Sequence, residues 1–417
     1  MTRHLHPVPE LVGPTSRAAA LRERLSSGSG AVLATRVAAH FAGVVVLLGA
    51  LLLHGAELTG IFVMTVTISQ IAAMPVGAGF GRTLTREVSR GDHQAAASTW
   101  ASGLVVAVPL AALSVAVGAV LLAGRLPLLV VSVSLVASTV GLAVLQLEAA
   151  DRRGRGRPVA TSTIEGLVPQ AVSLLAIGFG FLGAEAFVVS RGLLLMVAAM
   201  VVARPPSWDP RRPKNVASWL SSANAAVVAG TQLLLVRSDL LLVGWLIGPD
   251  KVAFYAIMQR IAETVYWPVS AYLVGAAPRY AAAEDGSDLH DAVMAERRSL
   301  RASQLLATGA AGGASAAAIA VSVVRPEMGL ALAFLVASSL VMVRYGPETA
   351  LLIMRDEVGR VALVGLLGLT LNIAIGSVLL GIVGVPGAAF ATLVSVSTMY
   401  VSLRRVAFAR VGVTASL

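Results

Sequence analysis

Four polar side chains recur at helical spacing within an apolar stretch near residue 260. Gln259, Glu263, Tyr266 and Ser270 follow an i, i+4, i+7, i+11 pattern, which places them on one face of a helix, and Arg260 flanks them. Ionisable groups inside a lipid bilayer normally face an internal cavity or an oppositely charged partner. The pattern therefore predicts a helix with one polar face, which lines a cavity or contacts other helices.

Two more charged residues, Arg237 and Asp239, lie in the preceding apolar stretch. One interpretation makes Glu263 a structural partner of Arg237 or Arg260, and these arginines would then keep both acids ionised. The other makes Asp239 and Glu263 ion-coupling residues, which bind and release a proton or a sodium ion as a cavity opens to each side of the membrane. The sequence leaves both interpretations open.

A further candidate ligand site lies at the start of the first apolar stretch, where Arg36 and His40 are one helical turn apart. A cationic pair on one face suits an anionic ligand such as a pyrophosphate. The alternative places Arg36 at the cytoplasmic membrane interface, where it would only set topology. The amide groups of Asn224 and Gln232, together with the polar groups at positions 259, 266 and 270, are further candidate ligand-binding groups.

The remaining ionisable residues of the apolar stretches have simpler interpretations. Glu148, Glu165 and Arg191 lie near predicted ends, where a long side chain reaches the membrane surface. Arg344 and Glu348 are four residues apart and are expected to neutralise each other within one helix.

Other chemistries lack a sequence signal. The chain has no cysteine, no Walker motif, no HExxH pair and no carboxylate-rich metal cluster, so we predict no cofactor, no metal site and no enzymatic activity. Gly178, Gly180 and Gly183 match a dinucleotide-binding spacing but lie in an apolar stretch without a preceding strand. The basic residues occupy short loops between apolar runs, which indicates membrane topology and no nucleic-acid partner.

The composition identifies the elements that must position these residues. Of 417 residues, 57% are hydrophobic and 13% charged, and the mean hydropathy is +0.82, which predicts a multi-pass membrane protein. Long unbroken apolar runs predict helices of about 20 residues each. Five prolines are expected to kink them: Pro75, Pro109, Pro169, Pro268 and Pro347. The twelve predicted spans are 32–53, 58–81, 98–123, 127–150, 159–182, 184–203, 219–247, 251–277, 300–323, 328–354, 359–382 and 386–407.

The positive-inside rule predicts that both termini are cytoplasmic. Only Arg125, Lys251 and Arg325 fall in the predicted outer loops, whereas most other basic residues fall inside. The predicted organisation is a cytoplasmic segment (1–31), a six-helix lobe (32–203), a cytoplasmic linker (204–218), a second six-helix lobe (219–407) and a cytoplasmic tail (408–417). No loop is large enough to fold alone, so function must lie within the helices, which favours transport.

The two halves match as parallel repeats. A shift of 193 residues pairs Gln70 with Glu263 and Pro75 with Pro268 without a gap. Since both spans run from outside to inside, the implied pseudo-twofold axis lies along the membrane normal, an arrangement that builds a cavity between two lobes.

One long run carries a family resemblance. Residues 237–257, RSDLLLVGWLIGPDKVAFYAI, followed by Gln259 and Arg260, resemble the seventh-to-eighth helix signature of bacterial polysaccharide transporters, the lipid-linked oligosaccharide flippases of the superfamily that also holds multidrug and toxin extrusion exporters. Residues 70–86, the basic turn 152–157 and the run 384–392 agree with that family. Ala253 departs from it, because the family usually carries glycine there.

The resemblance implies an all-α fold of twelve transmembrane helices in two lobes around a central cationic cavity, which opens alternately to each side. It implies a flippase in the bacterial plasma membrane that moves an undecaprenyl-pyrophosphate-linked oligosaccharide. Expected partners are this lipid-linked glycan, membrane lipids, a proton or sodium ion, and the polymerase and glycosyltransferases of glycan assembly. A cation-coupled multidrug antiporter and a nontransporting scaffold of a glycan assembly complex are the alternatives.

Overall fold

The computed structural model describes residues 14–204, 216–282, 287–354 and 357–411, and within these ranges the secondary structure is helical, with no β-strand. The α-helices are α1 (Pro14–Met74), α2 (Gly81–Ser89), α3 (His93–Leu121), α4 (Leu128–Gly154), α5 (Pro158–Ser162), α6 (Val168–Phe179), α7 (Ala184–Val202), α8 (Val216–Leu246), α9 (Pro249–Ala282), α10 (Ser287–Val324), α11 (Pro326–Met354), α12 (Val358–Val383) and α13 (Val385–Val411).

The twelve predicted crossings correspond to these helices. Ten helical segments of the described chain are long and apolar enough to span a membrane. One of them, residues 34–89, has 56 residues and bends at Gly55, so it crosses twice. The helix α9 supplies the remaining crossing, although the polar residues of its sequence make it less apolar than the others. The chain is therefore a multi-pass membrane protein with two six-helix lobes, and the predicted fold class is confirmed.

Two spans depart from regular α-helical geometry near proline. The second crossing passes through a π-helical segment, Pro75–Phe80, before it continues as α2. The fifth crossing combines α5, a second π-helical segment (Thr163–Leu167) and α6, with Pro169 in the first turn of α6. Proline lacks the N–H that an α-helical hydrogen bond needs, so the ladder is interrupted at these points.

The two helices on either side of the longest predicted inner loop, α9 and α10, extend farther into that loop than the sequence predicted. The structure continues α9 to Ala282 and begins α10 at Ser287, inside a stretch that the sequence assigned to a cytoplasmic loop. Alanine and arginine are frequent in this stretch, and both favour helix even outside lipid.

The turns support the internal repeat. Gly55 and Gly248 both have positive φ (80° and 133°) and are separated by the same 193 residues as the sequence match. Each glycine begins the hairpin turn into the second span of its lobe, where a left-handed conformation excludes most side chains.

The two lobes pack closely along the second crossing, which runs from α1 through the π-helical segment Pro75–Phe80. A Cβ atom added to Gly60 would lie 1.7 Å from the carbonyl oxygen of Pro249, and one added to Gly79 would lie 2.5 Å from that of Ser222. These contacts join the N-terminal lobe to α9 at one end and to α8 at the other. A shared apolar core, which includes Phe62 and Val252, fills the space between them.

Candidate functional site

Three charged side chains form a cluster where α8 and α9 face the N-terminal lobe. Arg237 Nη2 lies 2.8 Å from Glu263 Oε1, and Arg260 Nη1 lies 3.1 Å from Glu263 Oε2. Arg237 Nη1 also donates a hydrogen bond to Gln259 Oε1 at 2.8 Å. We call Arg237, Arg260 and Glu263 the charged cluster. Both arginine partners that the sequence left open for Glu263 are therefore present.

The α8–α9 hairpin explains why these residues meet. Arg237 lies 11 residues before Gly248 and Gln259 lies 11 residues after it, so an antiparallel hairpin brings them to the same depth. Glu263 follows one turn later on the same face of α9.

A cavity of about 200 Å³ lies next to this cluster, within the C-terminal lobe. We call it the C-lobe cavity. It contains all four members of the polar stripe, and Trp267 adds a second aromatic ring beside Tyr266. Its lining residues are Val236, Gln259, Ala262, Glu263, Tyr266, Trp267, Ser270, Leu335, Ser338, Ser339, Met342, Thr392 and Val396.

A smaller cavity of about 40 Å³ opens on the N-terminal side, and we call it the N-lobe cavity. Arg237 and Arg260 reach it from the C-terminal lobe, and Arg191 reaches it from α7. Its other polar lining residues are Thr67, Gln70, Gln170 and Ser173, and no acidic side chain lines it among the described residues. Three arginines thus line a cavity that Glu263 does not line, although two of them pair with Glu263.

Arg191 is the member of this group that sequence reasoning missed. Its side chain is only 2% exposed, so it does not reach the membrane surface as its position near a predicted helix end suggested. Its guanidinium donates to Ser173 Oγ and Ser138 Oγ, both at 3.3 Å, and lies 5.8 Å from the centre of the Phe62 ring. These partners are neutral, and no ion pair with a carboxylate is found for Arg191 in the described part of the chain.

Asp239 occupies a separate buried site within the C-terminal lobe. Its Oδ2 accepts hydrogen bonds from the Tyr255 hydroxyl (2.7 Å) and from Thr392 Oγ1 (3.0 Å), and its Oδ1 accepts one from the Leu240 amide (2.7 Å). The carboxylate is 1% exposed. Both oxygens are therefore satisfied by neutral donors, although Arg237 stands two residues away.

Arg36 and His40 have different neighbours in this structure. His40 is buried against α9, where its Nε2 lies 2.9 Å from the carbonyl oxygen of Arg260. Arg36 is half-buried and is influenced by the charges of Glu165 and Arg153 instead. Neither residue lines either cavity.

Two predicted amide residues have different outcomes. The side chain of Asn224 lies outside the described residues. Gln232 is placed in α8, with a buried Nε2 that has no hydrogen-bond partner in the described structure. Gln232 does not line either cavity.

A family model described as polysaccharide biosynthesis protein matches residues 50–324, which is more than half of the chain. The chain belongs to this family. The predicted resemblance to polysaccharide transporters is therefore confirmed. No curated protein matches this chain significantly.

Solved structures with the same fold cover nearly all of this polysaccharide transporter. A multidrug transporter, DinF-BH, solved in complex with a ligand, is 13% identical with a TM-score of 0.68 and 98% coverage of both chains. An inward-facing multidrug resistance transporter is 12% identical, with a TM-score of 0.65, over 90% of this chain and 94% of its own. A superfamily transporter from Pyrococcus furiosus, described as having a binding pocket of reverse polarity, is 12% identical with a TM-score of 0.56 and covers 93% and 95%.

These likenesses show that the chain shares its fold with multidrug transporters of the MOP superfamily. Family and fold together are those of a membrane transporter.

Proposed function

We propose that this transporter flips an undecaprenyl-pyrophosphate-linked oligosaccharide from the cytoplasmic to the outer leaflet of a bacterial plasma membrane by alternating access, with both termini in the cytoplasm. The observation that carries the proposal is the N-lobe cavity, which three arginines line and no described acid lines. Phosphate oxygens bind guanidinium groups through paired, charge-assisted hydrogen bonds. Glu263 pairs with Arg237 and Arg260, and Arg191 has only neutral partners, so this group keeps a net positive charge. An anionic substrate relieves the cost of burying that charge, whereas a cationic drug increases it.

The two cavities suit different parts of this substrate. In the C-lobe cavity, Tyr266 and Trp267 offer aromatic faces, and Ser270 and the other hydroxyl groups offer hydrogen bonds to sugar rings. The pyrophosphate then lies toward Arg191, Arg237 and Arg260, and the lipid tail stays in the bilayer. Gln259 holds Arg237 in place between the cavities.

The cavities are too small for the whole substrate in this state. Pockets that enclose a drug-sized ligand are about 300–1,000 Å³, and the C-lobe cavity has about 200 Å³. Separation of the lobes around the charged cluster is therefore part of the proposed cycle.

The charge argument is tested with the purified protein in liposomes. The substrate is a fluorescent undecaprenyl-pyrophosphate-linked sugar, and a cationic dye is the competing substrate. We expect movement of the lipid-linked sugar, and its strong reduction in Arg191→Gln. The matched control is Arg125→Gln, because Arg125 forms an exposed outer-loop ion pair with Glu57 at 2.8 Å, and such pairs contribute little.

Export of the dye with no movement of the lipid-linked sugar would assign a multidrug antiporter instead. If the liposomes move neither substrate, and cells without the gene lose their surface glycan, the scaffold is favoured.

In cells, deletion of the gene should leave labelled lipid-linked glycan facing the cytoplasm, and unchanged outward exposure contradicts the proposal. Glycosyltransferases and a glycan polymerase are the enzymes that would supply and consume this substrate.

Asp239 and Glu263 remain our proposed ion-coupling residues. Protonation of Glu263 releases two arginines, and binding of a proton or sodium ion at Asp239 rearranges the hydrogen bonds from Tyr255 and Thr392. We expect Glu263→Gln or Asp239→Asn to lose gradient-dependent transport while the protein still inserts. If each variant retained the full dependence on the gradient, neither acid would be the coupling site.

A further inference from the structure

His40 forms a hydrogen bond between the two lobes of the transporter. It lies in the first crossing of α1, is 3% exposed, and its Nε2 is 2.9 Å from the carbonyl oxygen of Arg260 in α9. A carbonyl oxygen only accepts, so Nε2 carries the proton in this contact. In a neutral imidazole the other nitrogen, Nδ1, is then an acceptor. His40 Nδ1 is buried and has no hydrogen-bond partner in the described structure.

Three charged side chains interact electrostatically with His40. The charged groups that act on it are Arg260 and Glu263 of α9 and Arg237 of α8, which are the members of the charged cluster. Charged groups on the other neighbouring segments, Glu165 and Arg153, act on Arg36 one turn earlier.

The Trp267 ring covers His40 from a third side, with ring centres 4.6 Å apart. Glu263 offsets one of the two nearby arginine charges, so the charged cluster keeps a net positive charge. A proton on Nδ1 adds a further positive charge beside it and leaves a buried N–H without a partner, and both effects disfavour the packed arrangement.

The acids Asp239 and Glu263 have no such acceptor atom without a partner. Both oxygens of Asp239 accept hydrogen bonds, and both oxygens of Glu263 contact arginines. Among these buried groups His40 has the open acceptor, and histidine is the side chain whose protonation ordinarily changes between about pH 5 and 8.

We propose that His40 is a proton-binding site that links protonation to separation of the lobes. When Nδ1 binds a proton, the contact with α9 opens and His40 meets water; when the proton leaves, the hydrogen bond to the Arg260 carbonyl re-forms. The inference rests on the proposed alternating access, and it deepens it by adding a proton-binding side chain at the contact between the lobes, beside the proposed coupling acids Asp239 and Glu263. Since α1 and α9 belong to different lobes, this contact must break whenever the lobes separate there.

The test measures lobe separation without any substrate, so its outcome is independent of what the transporter moves. The chain has no native cysteine, and His93→Cys with Gly359→Cys places one spin label on each lobe, at the start of α3 and of α12. We expect the population with the longer label distance to grow as the pH falls from 8 to 6. One proton bound in only one state shifts the equilibrium by up to about tenfold per pH unit.

His40→Gln separates proton binding from packing, because the glutamine amide still donates to a carbonyl but takes up no proton in this range. We expect this variant to lose the pH-dependent shift. The matched control is His54→Gln. His54 also lies in α1 and places its Nε2 2.9 Å from a helix carbonyl, that of Ile177, but within the N-terminal lobe. This control should keep the full shift.

A pH-dependent shift that persists in His40→Gln, or that disappears in His54→Gln, overturns the proposal. If His40→Gln does not fold, the exchange of the His40 ring C2 hydrogen with deuterium, followed by mass spectrometry in the chain with native histidines, reports its protonation directly. Absence of a protonation step at His40 between pH 5 and 8 also overturns the proposal. Loss of glycan transport in the liposome assay, with the pH-dependent separation intact, would count against the proposed substrate and not against His40.

Discussion

Replacement of Arg260 by glutamine separates substrate binding from structural pairing. Glu263 has two arginine partners, so Arg260→Gln leaves it with Arg237 at 2.8 Å. The lost contact is the longer one, 3.1 Å, between side chains that are 21% and 22% exposed. We therefore expect a loss of about 1–2 kcal/mol in stability, which exceeds the range for exposed ion pairs because these side chains are mostly buried, and which stays small because Glu263 keeps one partner.

The expected effect on transport is much larger. If Arg260 grips a phosphate through two charge-assisted hydrogen bonds at about 1.5–3 kcal/mol each, their loss removes about 3–6 kcal/mol of binding. At about 1.4 kcal/mol per tenfold change, transport should fall at least 100-fold. Arg260→Lys retains the charge but not the paired geometry, so its transport should lie between the wild type and Arg260→Gln.

The assay is movement of the fluorescent lipid-linked sugar in liposomes, with protein content and melting temperature measured on the same preparations. Glu263→Gln is the companion variant, because it leaves Arg237 and Arg260 without their shared carboxylate. Measured without an ion gradient, so that ion coupling by Glu263 does not affect the result, the double variant Arg260→Gln, Glu263→Gln decides between the two roles. Rescue of transport in the double variant would refute phosphate binding by Arg260, since removal of both charges restores a structural pair but not a ligand site.

Two further predictions concern packing and topology. Gly60→Ala should lower the melting temperature and impair transport, because its Cβ would lie 1.7 Å from the backbone oxygen of Pro249, whereas Gly178→Ala, with open space around it, should change neither; equal melting temperatures for the two variants would contradict the close packing of the lobes. A membrane-impermeant maleimide should label Glu57→Cys in intact cells but should label His93→Cys only after lysis, and the reverse pattern would invert the proposed orientation.

The sequence determined the number and approximate limits of the spans. A bilayer requires about 20 apolar residues per crossing and leaves no alternative to the helix for a single apolar run, so local hydropathy is sufficient evidence. The stripe from Gln259 to Ser270 was also readable, because helical spacing depends only on the neighbouring residues. Family membership followed from the same α8–α9 region, with Gly248 at the turn between the two helices.

The partners of each polar side chain required the tertiary structure. A helix surrounded by lipid and other helices is apolar on most sides, so its sequence does not fix its rotation about its own axis. Arg191 thus resembled a surface residue until α7 placed it beside Arg237 and Arg260. Likewise, Asp239 meets Thr392 across 153 residues and His40 meets the Arg260 carbonyl across 220. Such contacts depend on how helices pack at long sequence separation, and no spacing within one helix encodes them.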